Sequence, residues 1–484
     1  MTQRMCRIVS KLLKLSMIGP VLFAALASAQ NPVPQVVGPP HPQAVAPGGS
    51  SFTLKVYGAN FVPGSVVNWN RHPRATTYVS GHEVDATILA SDIVKNTAGY
   101  ITVTNPLPGG GISSSSGTLV EVHKPTKNIA PGPFHSYAYS YGTVAQLLVA
   151  DFNNDGIMDL ADTANDGTIP IFLGNRADTF RFADYATSAY YPNFGADNAA
   201  YGDFNGDGNL DVAYQAYFGF NSPLGLSVAL GEGNGKFRNG WYEDESNIYP
   251  ENVVVGDFNG DGKLDLITGG SLFTYVYLGN GDGTFDLSQT YDFGGIIMLA
   301  GDFNNDGKLD LVVYEDAQPA ALSIALGNGD GTFQALQQVT TADVGCGFGP
   351  IMLVNDFNGD GNLDIAYCSN TNLAISLGNG NGTFQQPVSY VVDTTSGFTF
   401  AAGDFNSDGK TDLIVSDSST NFEFSILLGK GNGTFQPQRA VKLQPNLTNG
   451  EAGIAIGDFN SDGLLDFIFQ DGGSGFLEYL QLQP

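Results

Sequence analysis

Short apolar runs recur along almost the whole chain, and each ends at a cluster of glycine, proline, asparagine or aspartate. Residues 253–255, 266–267 and 311–313 are examples of such runs. Runs of this length, rich in β-branched residues and bounded by turn residues, predict strands. After residue 29 no apolar run of about 20 residues, the length that spans a bilayer, interrupts this rhythm. We therefore expect an all-β protein.

The first 29 residues follow a different pattern. Four basic residues precede an apolar run over residues 15–26, and the small residues 27–29 follow it. This is the pattern of a secretory signal peptide that is cleaved before Gln30. An uncleaved membrane anchor is the alternative, which the shortness of the run and Pro20 disfavour. The segment predicts a secreted protein, extracellular or periplasmic, with no membrane span after cleavage.

Residues 30–124 form the next predicted unit. Their β-rich runs, separated by Gly, Pro and Asn, predict an antiparallel sandwich with Trp69 in its core. Two segments, Tyr-Gly-Ala-Asn-Phe-Val-Pro-Gly at 57–64 and Val-Thr-Asn-Pro-Leu-Pro-Gly-Gly-Gly at 103–111, resemble the immunoglobulin-like IPT/TIG domain. That resemblance implies a spacer or interaction module without catalysis.

The remaining residues, 125–484, contain one nine-residue motif seven times, Asp-Phe-Asn-x-Asp-Gly-x-x-Asp. Successive copies begin 52, 54, 45, 54, 48 and 54 residues apart. An apolar strand precedes each copy and another follows it, and a third strand in most repeats ends in Leu-Gly-x-Gly-x-Gly-x-Phe, as at 326–333. A fourth strand leads to the next repeat. Four short strands in each of seven repeats predict a seven-bladed β-propeller preceded by the immunoglobulin-like β-sandwich.

The two ends of the repeat array are incomplete in complementary ways. Repeat seven stops at residues 475–482 without the Gly-Thr-Phe segment and without a fourth strand. Ahead of the first motif, residues 131–139 read like the segment that begins at Gly433. We therefore expect residues 134–140 to supply the outer strand of the last blade, because joining both ends in one sheet removes an exposed edge.

The motif places oxygen ligands at alternate positions of a tightly turning loop. Side chains at positions 1, 3, 5 and 9 and the carbonyl of position 7 form a hard-oxygen set that suits Ca²⁺, and Gly at position 6 allows the sharp turn. The helix-loop-helix calcium hand would need Glu at position 12, which no copy has, and dockerin loops come in pairs followed by helices. The alternative is that the Asp and Asn side chains only cap their own turns.

The candidate metal ligands of up to seven Ca²⁺ ions occupy the same five positions in each copy. They are Asp151, Asn153, Asp155, Ile157 and Asp159; Asp203, Asn205, Asp207, Asn209 and Asp211; Asp257, Asn259, Asp261, Lys263 and Asp265; Asp302, Asn304, Asp306, Lys308 and Asp310; Asp356, Asn358, Asp360, Asn362 and Asp364; Asp404, Asn406, Asp408, Lys410 and Asp412; Asp458, Asn460, Asp462, Leu464 and Asp466.

This strand-loop-strand motif resembles the FG-GAP/VCBS repeat, which includes the calcium-bearing blades of integrin α-subunit propellers. The resemblance covers residues 125–484 and implies calcium-binding hairpins on one face and ligand-binding loops on the other. The chain lacks the Phe-Gly and Gly-Ala-Pro signatures of the integrin repeats. The departure weakens any inference about integrin-like ligands and leaves the calcium prediction unchanged.

Charge and cysteine content restrict the function further. The formal net charge is −28, and removal of residues 1–29, which carry four basic residues and no acid, makes it −32. Such a protein repels nucleic acid and anionic membrane surfaces. After export two cysteines remain, Cys346 and Cys368, which form one disulfide or stay free.

The repeats contain few residues that could be catalytic. All five histidines precede residue 136, which excludes a Ser-His-Asp triad or a His-ligated zinc site within the propeller body. Carboxylate catalysis, as in a glycosidase or lyase acting on polysaccharides, stays open. Its candidates are the acids outside the motifs: Glu243, Asp244, Glu245, Glu315 and Asp316.

A recognition function fits the aromatic content of the first three repeats better. The loops expected opposite the calcium hairpins are rich in aromatic residues that suit sugar stacking or protein contact, with blade packing as the alternative. These residues are Tyr190, Tyr191, Phe194, Tyr214, Tyr217, Phe218, Phe220, Trp241, Tyr242 and Tyr249. The strongest candidate is Trp241-Tyr242, because the acids that follow predict exposure. We therefore expect a non-catalytic adhesion or recognition module for carbohydrate or a cell-surface protein; a polysaccharide-active enzyme and a structural surface component are the alternatives.

Overall fold

The computed structural model describes most of the chain after the first 29 residues. The described residues are 30–113, 118–126, 130–138, 144–164, 169–175, 179–186, 198–217, 224–243, 251–270, 272–295, 297–315, 321–340, 352–369, 372–392, 398–417, 423–442, 454–471 and 476–483. The predicted signal peptide lies outside them. Among these residues the secondary structure is strand apart from one short 3-10 helix, Ala90–Ile93, so the all-β prediction is confirmed. No helix in this part of the chain is long and apolar enough to cross a membrane.

Ten strands precede the repeats. They are β1 (Gln35–Val36), β2 (Ala44–Val45), β3 (Phe52–Ala59), β4 (Val66–Trp69), β5 (His72–Pro73), β6 (Ala75–Tyr78), β7 (Glu83–Ile88), β8 (Thr97–Asn105), β9 (Gly111–Ile112) and β10 (Leu119–Val122).

These strands form two sheets that face each other. One sheet has the order β1-β3-β7-β6, and the other has the order β2-β10-β8-β4-β5, with β9 paired to β8. Alternate residues of the strands point inward, and a common core joins Leu54 and Val84 of the first sheet to Trp69 and Ile101 of the second. Trp69 is 2% exposed, which confirms its predicted place in the core. We call this unit the sandwich.

Twenty-eight strands follow in the described part of the chain. They are β11 (Ala130–Ala138), β12 (Val144–Ala150), β13 (Asp159–Ala164), β14 (Pro170–Asn175), β15 (Thr179–Tyr185), β16 (Ala199–Gly202), β17 (Asp211–Tyr217), β18 (Leu224–Gly231), β19 (Phe237–Glu243), β20 (Asn252–Gly256), β21 (Asp265–Gly269), β22 (Thr274–Gly279), β23 (Phe285–Tyr291), β24 (Ile297–Gly301), β25 (Asp310–Glu315), β26 (Ala321–Ala325), β27 (Gln337–Thr340), β28 (Met352–Asn355), β29 (Asp364–Ser369), β30 (Asn372–Ser376), β31 (Val388–Val391), β32 (Phe398–Gly403), β33 (Asp412–Asp417), β34 (Glu423–Leu427), β35 (Arg439–Lys442), β36 (Ile454–Gly457), β37 (Asp466–Asp471) and β38 (Phe476–Gln483).

The repeat strands assemble into four-stranded antiparallel sheets. Six sheets take their strands in chain order, from β12-β13-β14-β15 to β32-β33-β34-β35, and a further sheet has the order β11-β38-β37-β36. In that sheet β11 pairs antiparallel with β38, with Phe134 opposite Leu480 and Tyr137 opposite Leu477. The two ends of the repeat region therefore share one sheet.

The strand that precedes the motif loop in each sheet lies beside the corresponding strand of the next sheet. Contacts run from β12 to β16, β20, β24, β28, β32 and β36 in turn, and β36 contacts β12 again. In each sheet the motif loop connects this strand to the strand that follows it in the chain, so the motif loops are gathered at one end of this arrangement. This position follows from the repeat, because structurally equivalent sheets that pack side by side have their equivalent loops on the same side.

Paired phenylalanines join neighbouring sheets. The motif phenylalanine of one repeat packs on the phenylalanine that ends the glycine-rich hairpin of the next repeat, as in Phe204 with Phe285 and Phe258 with Phe333, with ring centroids 5.5 and 5.8 Å apart. Phe459 of the last motif packs in the same way on Phe180 of the first repeat, at 5.6 Å. The second residue of the motif is therefore a packing residue between sheets.

Cys368 lies buried on β29 and is disulfide-bonded. Cys346, the partner considered from the sequence, lies outside the described residues.

Candidate metal centre in the motif loops

Each motif loop is held by its own side chains in a chain of Asx turns. In the first repeat the amide of Asp155 donates to Asp151 Oδ1 at 3.0 Å and to Asn153 Oδ1 at 2.8 Å. The amide of Gly156 donates to Asp151 Oδ2 at 2.7 Å, and the amide of Ile157 donates to Asp155 Oδ1 at 2.8 Å. The other six loops repeat this pattern, so the side chains at positions 1, 3 and 5 all turn into the loop.

The sixth position needs glycine for a conformational reason. Its φ is +82° at Gly156 and +90° at Gly463, in the left-handed region that other residues rarely adopt. The fourth position is also left-handed, with φ of 63° at Asn154 and 55° at Ser407. Two left-handed residues two positions apart curl the backbone so that several donors and acceptors converge inside one loop.

The ninth position has a different role from the first, third and fifth. Asp159 is fully buried; its Oδ2 accepts the amide of Phe152 and its Oδ1 accepts the amide of Gly174, both at 2.9 Å. The same two bonds recur at Asp265, from Phe258 and Gly279. The last aspartate of the motif therefore ties the loop to the glycine-rich hairpin of the same sheet, a function that sequence reasoning missed.

The ionised form of these buried aspartates is electrostatically unfavourable. Burial, followed by the charges of Asp151 and Asp155, raises the pKa of Asp159 to about 8. Burial likewise raises the pKa of Asp265 to about 8 and that of Asp458 to about 7. A buried carboxylate beside others loses hydration and meets like charges, so its ionised form is stable only with a compensating positive charge.

The donor set of the loop fits a hard cation. Carboxylate, amide and carbonyl oxygens are what Ca²⁺ takes in proteins, and Asp, Asn and Asp at positions 1, 3 and 5 supply them on one turn. Among the described residues no three acidic, imidazole or thiolate side chains are grouped closely enough to hold a metal by themselves. A cation in these loops would therefore depend on the asparagine oxygen and backbone carbonyls beside the carboxylates.

The sandwich covers the motif loops and donates to their first aspartates. Arg71 pairs with Asp151 of the first loop, and the amide of Val33 donates to Asp257 Oδ2 of the third loop at 2.7 Å. In each case the accepting oxygen is the one that also takes the amide of the motif glycine. The sandwich thus enters the hydrogen-bond network of the loops themselves.

Two histidines make the same contact with the next two loops. His82 lies 3.1 Å from Asp302 Oδ2 through Nδ1 and 3.0 Å from the carbonyl of Gly361 through Nε2, which links the fourth and fifth loops. His41 Nε2 lies 3.1 Å from Asp356 Oδ2. Although burial lowers the pKa of His82, the hydrogen bond and charge of Asp302, with backbone hydrogen bonds to Gly361 and Gly58, leave that pKa above the ordinary value. Burial raises the pKa of Asp356, but the hydrogen bond and charge of His41 and the amides of Gly361 and Gly359 together leave that pKa below the ordinary value.

The sixth and seventh loops also meet the sandwich. The amide of Thr126, on the segment that leads out of β10, donates to the carbonyl of Asn406 at 2.8 Å, and Tyr100 Oη of the sandwich donates to the carbonyl of Asp458 at 2.9 Å. Glu121, buried on β10, accepts the hydroxyl of Ser407. Within the described residues, hydrogen bonds from the sandwich therefore reach every motif loop except that of the second repeat.

The predicted ligand-binding aromatics fall into two groups. Trp241 is partly buried and packs on Tyr277 and Phe285, with ring centroids 5.7 and 5.3 Å apart, so it fills the space between two sheets in contrast to its predicted exposure. Its neighbour Tyr242 is 41% exposed, and Tyr214 is buried at 2% exposure. The polar residues after Trp241 misled the prediction, because side chains alternate between the two faces of a strand.

The other aromatic candidates cannot be placed in the fold. Tyr190, Tyr191, Phe194, Phe218, Phe220 and Tyr249 lie outside the described residues, and for Tyr217 only the strand position, the end of β17, is described.

The candidate catalytic acids are not brought together in the described residues. Glu243 ends β19, and Glu315 ends β25, where it accepts the hydroxyl of Ser323 at 2.6 Å. Asp244, Glu245 and Asp316 lie outside the described part of the chain.

The sheets and loops together define the chain as a propeller-type repeat protein, with a motif hairpin at the same end of each repeat sheet. A family model of the FG-GAP-like repeat matches residues 151–214, 257–313, 302–352, 356–415 and 404–469, more than half of the chain. The chain belongs to the FG-GAP-like repeat family.

Relatives and solved structures are distant. A T-cell immunomodulatory protein homolog of Plasmodium falciparum is 27% identical over an alignment of 144 residues. The match covers 26% of this chain and 19% of that protein. An Agrocybe aegerita lectin, solved to explain recognition of terminal N-acetylglucosamine, has a TM-score of 0.46 and 17% identity over 86% of this chain and 98% of the lectin. A Bacillus licheniformis rhamnogalacturonan lyase has a TM-score of 0.44 and 12% identity over 93% and 90% of the two chains.

Proposed function

We propose that the protein is an exported, calcium-binding recognition protein of the FG-GAP-like repeat family, without catalytic activity of its own. The observation that carries the calcium part is the loop geometry, repeated seven times, in which carboxylate and amide oxygens turn inward above a buried aspartate. Burial raises the pKa of this aspartate to about 8 at Asp159 and at Asp265. Seven such loops are unfavourable as bare anions and favourable as cation sites.

Calcium content and calorimetric titration of the full exported chain test this part directly. The chelator-treated protein should take up Ca²⁺ with a stoichiometry that approaches seven, and Mg²⁺ should bind more weakly because it needs stricter geometry. Asp203→Asn, in the loop that the sandwich does not reach, should remove one site. A titration without heat or bound calcium at millimolar Ca²⁺ would contradict the proposal.

The loops that differ between repeats are the proposed ligand-binding part of the molecule. The repeated residues described above build sheets, loops and sheet contacts, so they do not distinguish one ligand from another. Specificity then belongs to residues that differ between repeats, among which Tyr242 is described and exposed. A carbohydrate or a cell-surface protein is the proposed partner.

Three assays on one preparation separate the possible ligands. A glycan array detects carbohydrate binding, a pull-down from cell-surface extract detects a protein partner, and reducing-end or unsaturated-product assays on polysaccharides detect turnover. Binding without turnover supports recognition, whereas polysaccharide cleavage by the purified chain would overturn the non-catalytic assignment. Export itself is tested by N-terminal sequencing, which should begin at Gln30.

A further inference from the structure

One contact between the sandwich and the motif loops has the opposite chemistry from the rest. At the first, third, fourth and fifth loops the sandwich brings a hydrogen-bond donor or cation to the first aspartate of the motif. At the sixth loop it brings another carboxylate, that of Glu121. An acid placed against an acidic loop is unfavourable unless something positive lies between them.

The strand pattern explains how Glu121 reaches this position. On β10 the neighbours Val120 and Val122 point into the core of the sandwich. Successive side chains of a strand point to opposite faces, so Glu121 points away from that core. Its face of β10 is the one pressed against the repeat sheets, as the Thr126 amide to Asn406 carbonyl bond on one side and the Gln43 to Thr411 side-chain bond on the other side show.

The Glu121 carboxylate is only half satisfied there. The residue is 1% exposed, Oε2 accepts the hydroxyl of Ser407, and Oε1 is buried without a hydrogen-bond partner among the described residues. The negative charges of Asp404 and Asp458 act on this carboxylate, and the backbone amide of Leu465 approaches it as well. Glu121 therefore faces two further acids, and its Oε1 makes no hydrogen bond of regular geometry within the described residues.

No cationic side chain offsets these charges in the described part of the chain. Asp404, 3% exposed, accepts the amides of Asp408 and Gly409, and the lysine of this loop, Lys410, pairs with Asp408 at 3.1 Å. Among the described residues neither Glu121 nor Asp404 takes part in a salt bridge. The charge is compensated either by a bound proton or by a bound cation.

We propose that Glu121 is an additional ligand of the cation at the sixth motif loop, so that one Ca²⁺ is shared between the sandwich and the repeat sheets. The inference rests on the proposed calcium binding of the loops and adds a residue that the motif does not contain. Glu121 Oε1, the carboxylates of Asp404 and Asp408, the amide oxygen of Asn406 and the hydroxyl of Ser407 are oxygen donors of the kind that a hard divalent ion prefers. The three carboxylates are not grouped closely enough in this structure to hold a metal by themselves, so the bound ion would draw Glu121 towards the loop.

A shared ion couples calcium binding to docking of the sandwich. Ca²⁺ bound by groups from both units stabilises the docked arrangement, and docking in turn strengthens binding by the same factor. A protonated Glu121 would give no such coupling. The charge-neutral, nearly isosteric replacement Glu121→Gln distinguishes the two cases, because it mimics the protonated form and removes the ligand.

The experiment compares wild type and Glu121→Gln as full exported chains, in EDTA and in CaCl₂. In EDTA the variant should melt about 2–4 °C above wild type, because a buried uncompensated charge is gone. In calcium the order should reverse, and one calcium site should weaken by at least about tenfold in titration calorimetry. A simple folding defect would lower the melting temperature in both conditions, so the reversal of sign identifies the ligand role.

Amide hydrogen exchange measures how tightly the sandwich docks on the repeat sheets. Calcium should slow exchange of the Thr126 amide, which donates across the interface, in wild type and much less in Glu121→Gln. Two matched controls apply. Glu83→Gln removes a sandwich glutamate that pairs with Lys55 and should change neither measurement. Asp203→Asn should remove a calcium site and leave the Thr126 protection intact.

The outcomes separate this inference from the proposed function. Calcium binding by wild type with an unchanged isotherm and unchanged Thr126 protection in Glu121→Gln would overturn the shared ion and leave the calcium loops standing. A higher melting temperature of the variant in both EDTA and calcium would identify a protonated Glu121 and overturn it as well. Absence of any calcium binding by wild type would remove the proposed function first.

Discussion

The sandwich and the repeat sheets are built from the same kind of strand, yet they treat their charged residues in opposite ways. In the sandwich, Arg74 binds both carboxylate oxygens of Asp92, at 2.6 and 2.7 Å. Burial raises the pKa of Asp92, but the hydrogen bonds from Arg74 and from the amide of Leu89, together with the Arg74 charge, leave that pKa below its ordinary value. In the repeats, Asp265 is fully buried against backbone amides, and burial raises its pKa to about 8.

The difference shows that a net charge says little until each charge has a position. The sandwich pairs Glu83 and Asp92 with cations of its own sequence, whereas Glu121 faces the repeat sheets, and its two sheets share an ordinary apolar core. The repeat sheets place acids at every motif hairpin, so their ionised form needs compensation from outside the repeats. Donors of the sandwich supply it at several first aspartates, and the proposed Ca²⁺ would supply it at each loop.

Chelation should separate the two regions most strongly. If free Ca²⁺ is about tenfold above the dissociation constant, each loop gains about 1.4 kcal/mol, so seven loops together shift the melting temperature by roughly ten degrees or more. The chain has two tryptophans, Trp69 in the sandwich core and Trp241 between repeat sheets. In variants that retain one tryptophan each, fluorescence should show that EDTA strongly lowers the melting temperature reported by Trp241. An equal melt with and without EDTA would remove the contrast.

Removal of one buried aspartate should have the next largest effect. Asp265→Ala leaves the amides of Phe258 and Gly279 without their acceptor, and each unsatisfied buried donor costs about 1–3 kcal/mol. We expect a loss of about 2–5 kcal/mol in urea unfolding with calcium present. Asp261→Ala, at the more exposed fifth position, should cost less stability while weakening calcium. Equal losses would show that the ninth position is no anchor.

The Arg74–Asp92 pair should contribute about 1 kcal/mol, because the two side chains are largely buried and bidentate. Its contribution has a defined pH dependence. Since the folded pKa of Asp92 lies below the unfolded one, the stabilisation is present above about pH 4 and is lost as the pH falls through the lowered value. Arg74→Gln should therefore flatten the acid limb of the sandwich's stability curve. An unchanged acid limb would contradict this assignment.

The smallest effect is expected at the exposed pair of Lys55 and Glu83, whose nitrogen and oxygen lie 2.5 Å apart. Lysine is half exposed there, and such pairs contribute about 0–1 kcal/mol that salt screens further. Lys55→Gln should change the free energy of unfolding, measured in urea, by no more than about 0.5 kcal/mol. A loss as large as that of Arg74→Gln would show that surface pairing matters more to the sandwich than its geometry indicates.

The strand pattern and the repeated loops could be predicted because they depend on local chemistry. Alternation of apolar residues indicates a strand wherever it occurs, and Asp-x-Asn-x-Asp-Gly can close its turn only with glycine at the left-handed sixth position. Trp241 was harder, because its acidic neighbours along the chain predicted exposure and its actual neighbours, Tyr277 and Phe285, come from the next sheet.

By itself, the sequence determined the all-β class, the repeat and the inward-turned oxygens of each loop, since these follow from residues a few positions apart. Only the tertiary structure decided that the last motif aspartate anchors a hairpin, that the motif phenylalanine joins two sheets, and that His41, His82 and Glu121 approach the loops. Glu121 and Ser407 are 286 residues apart in the chain. No local pattern records such a contact, because it depends on how two separately folded units pack.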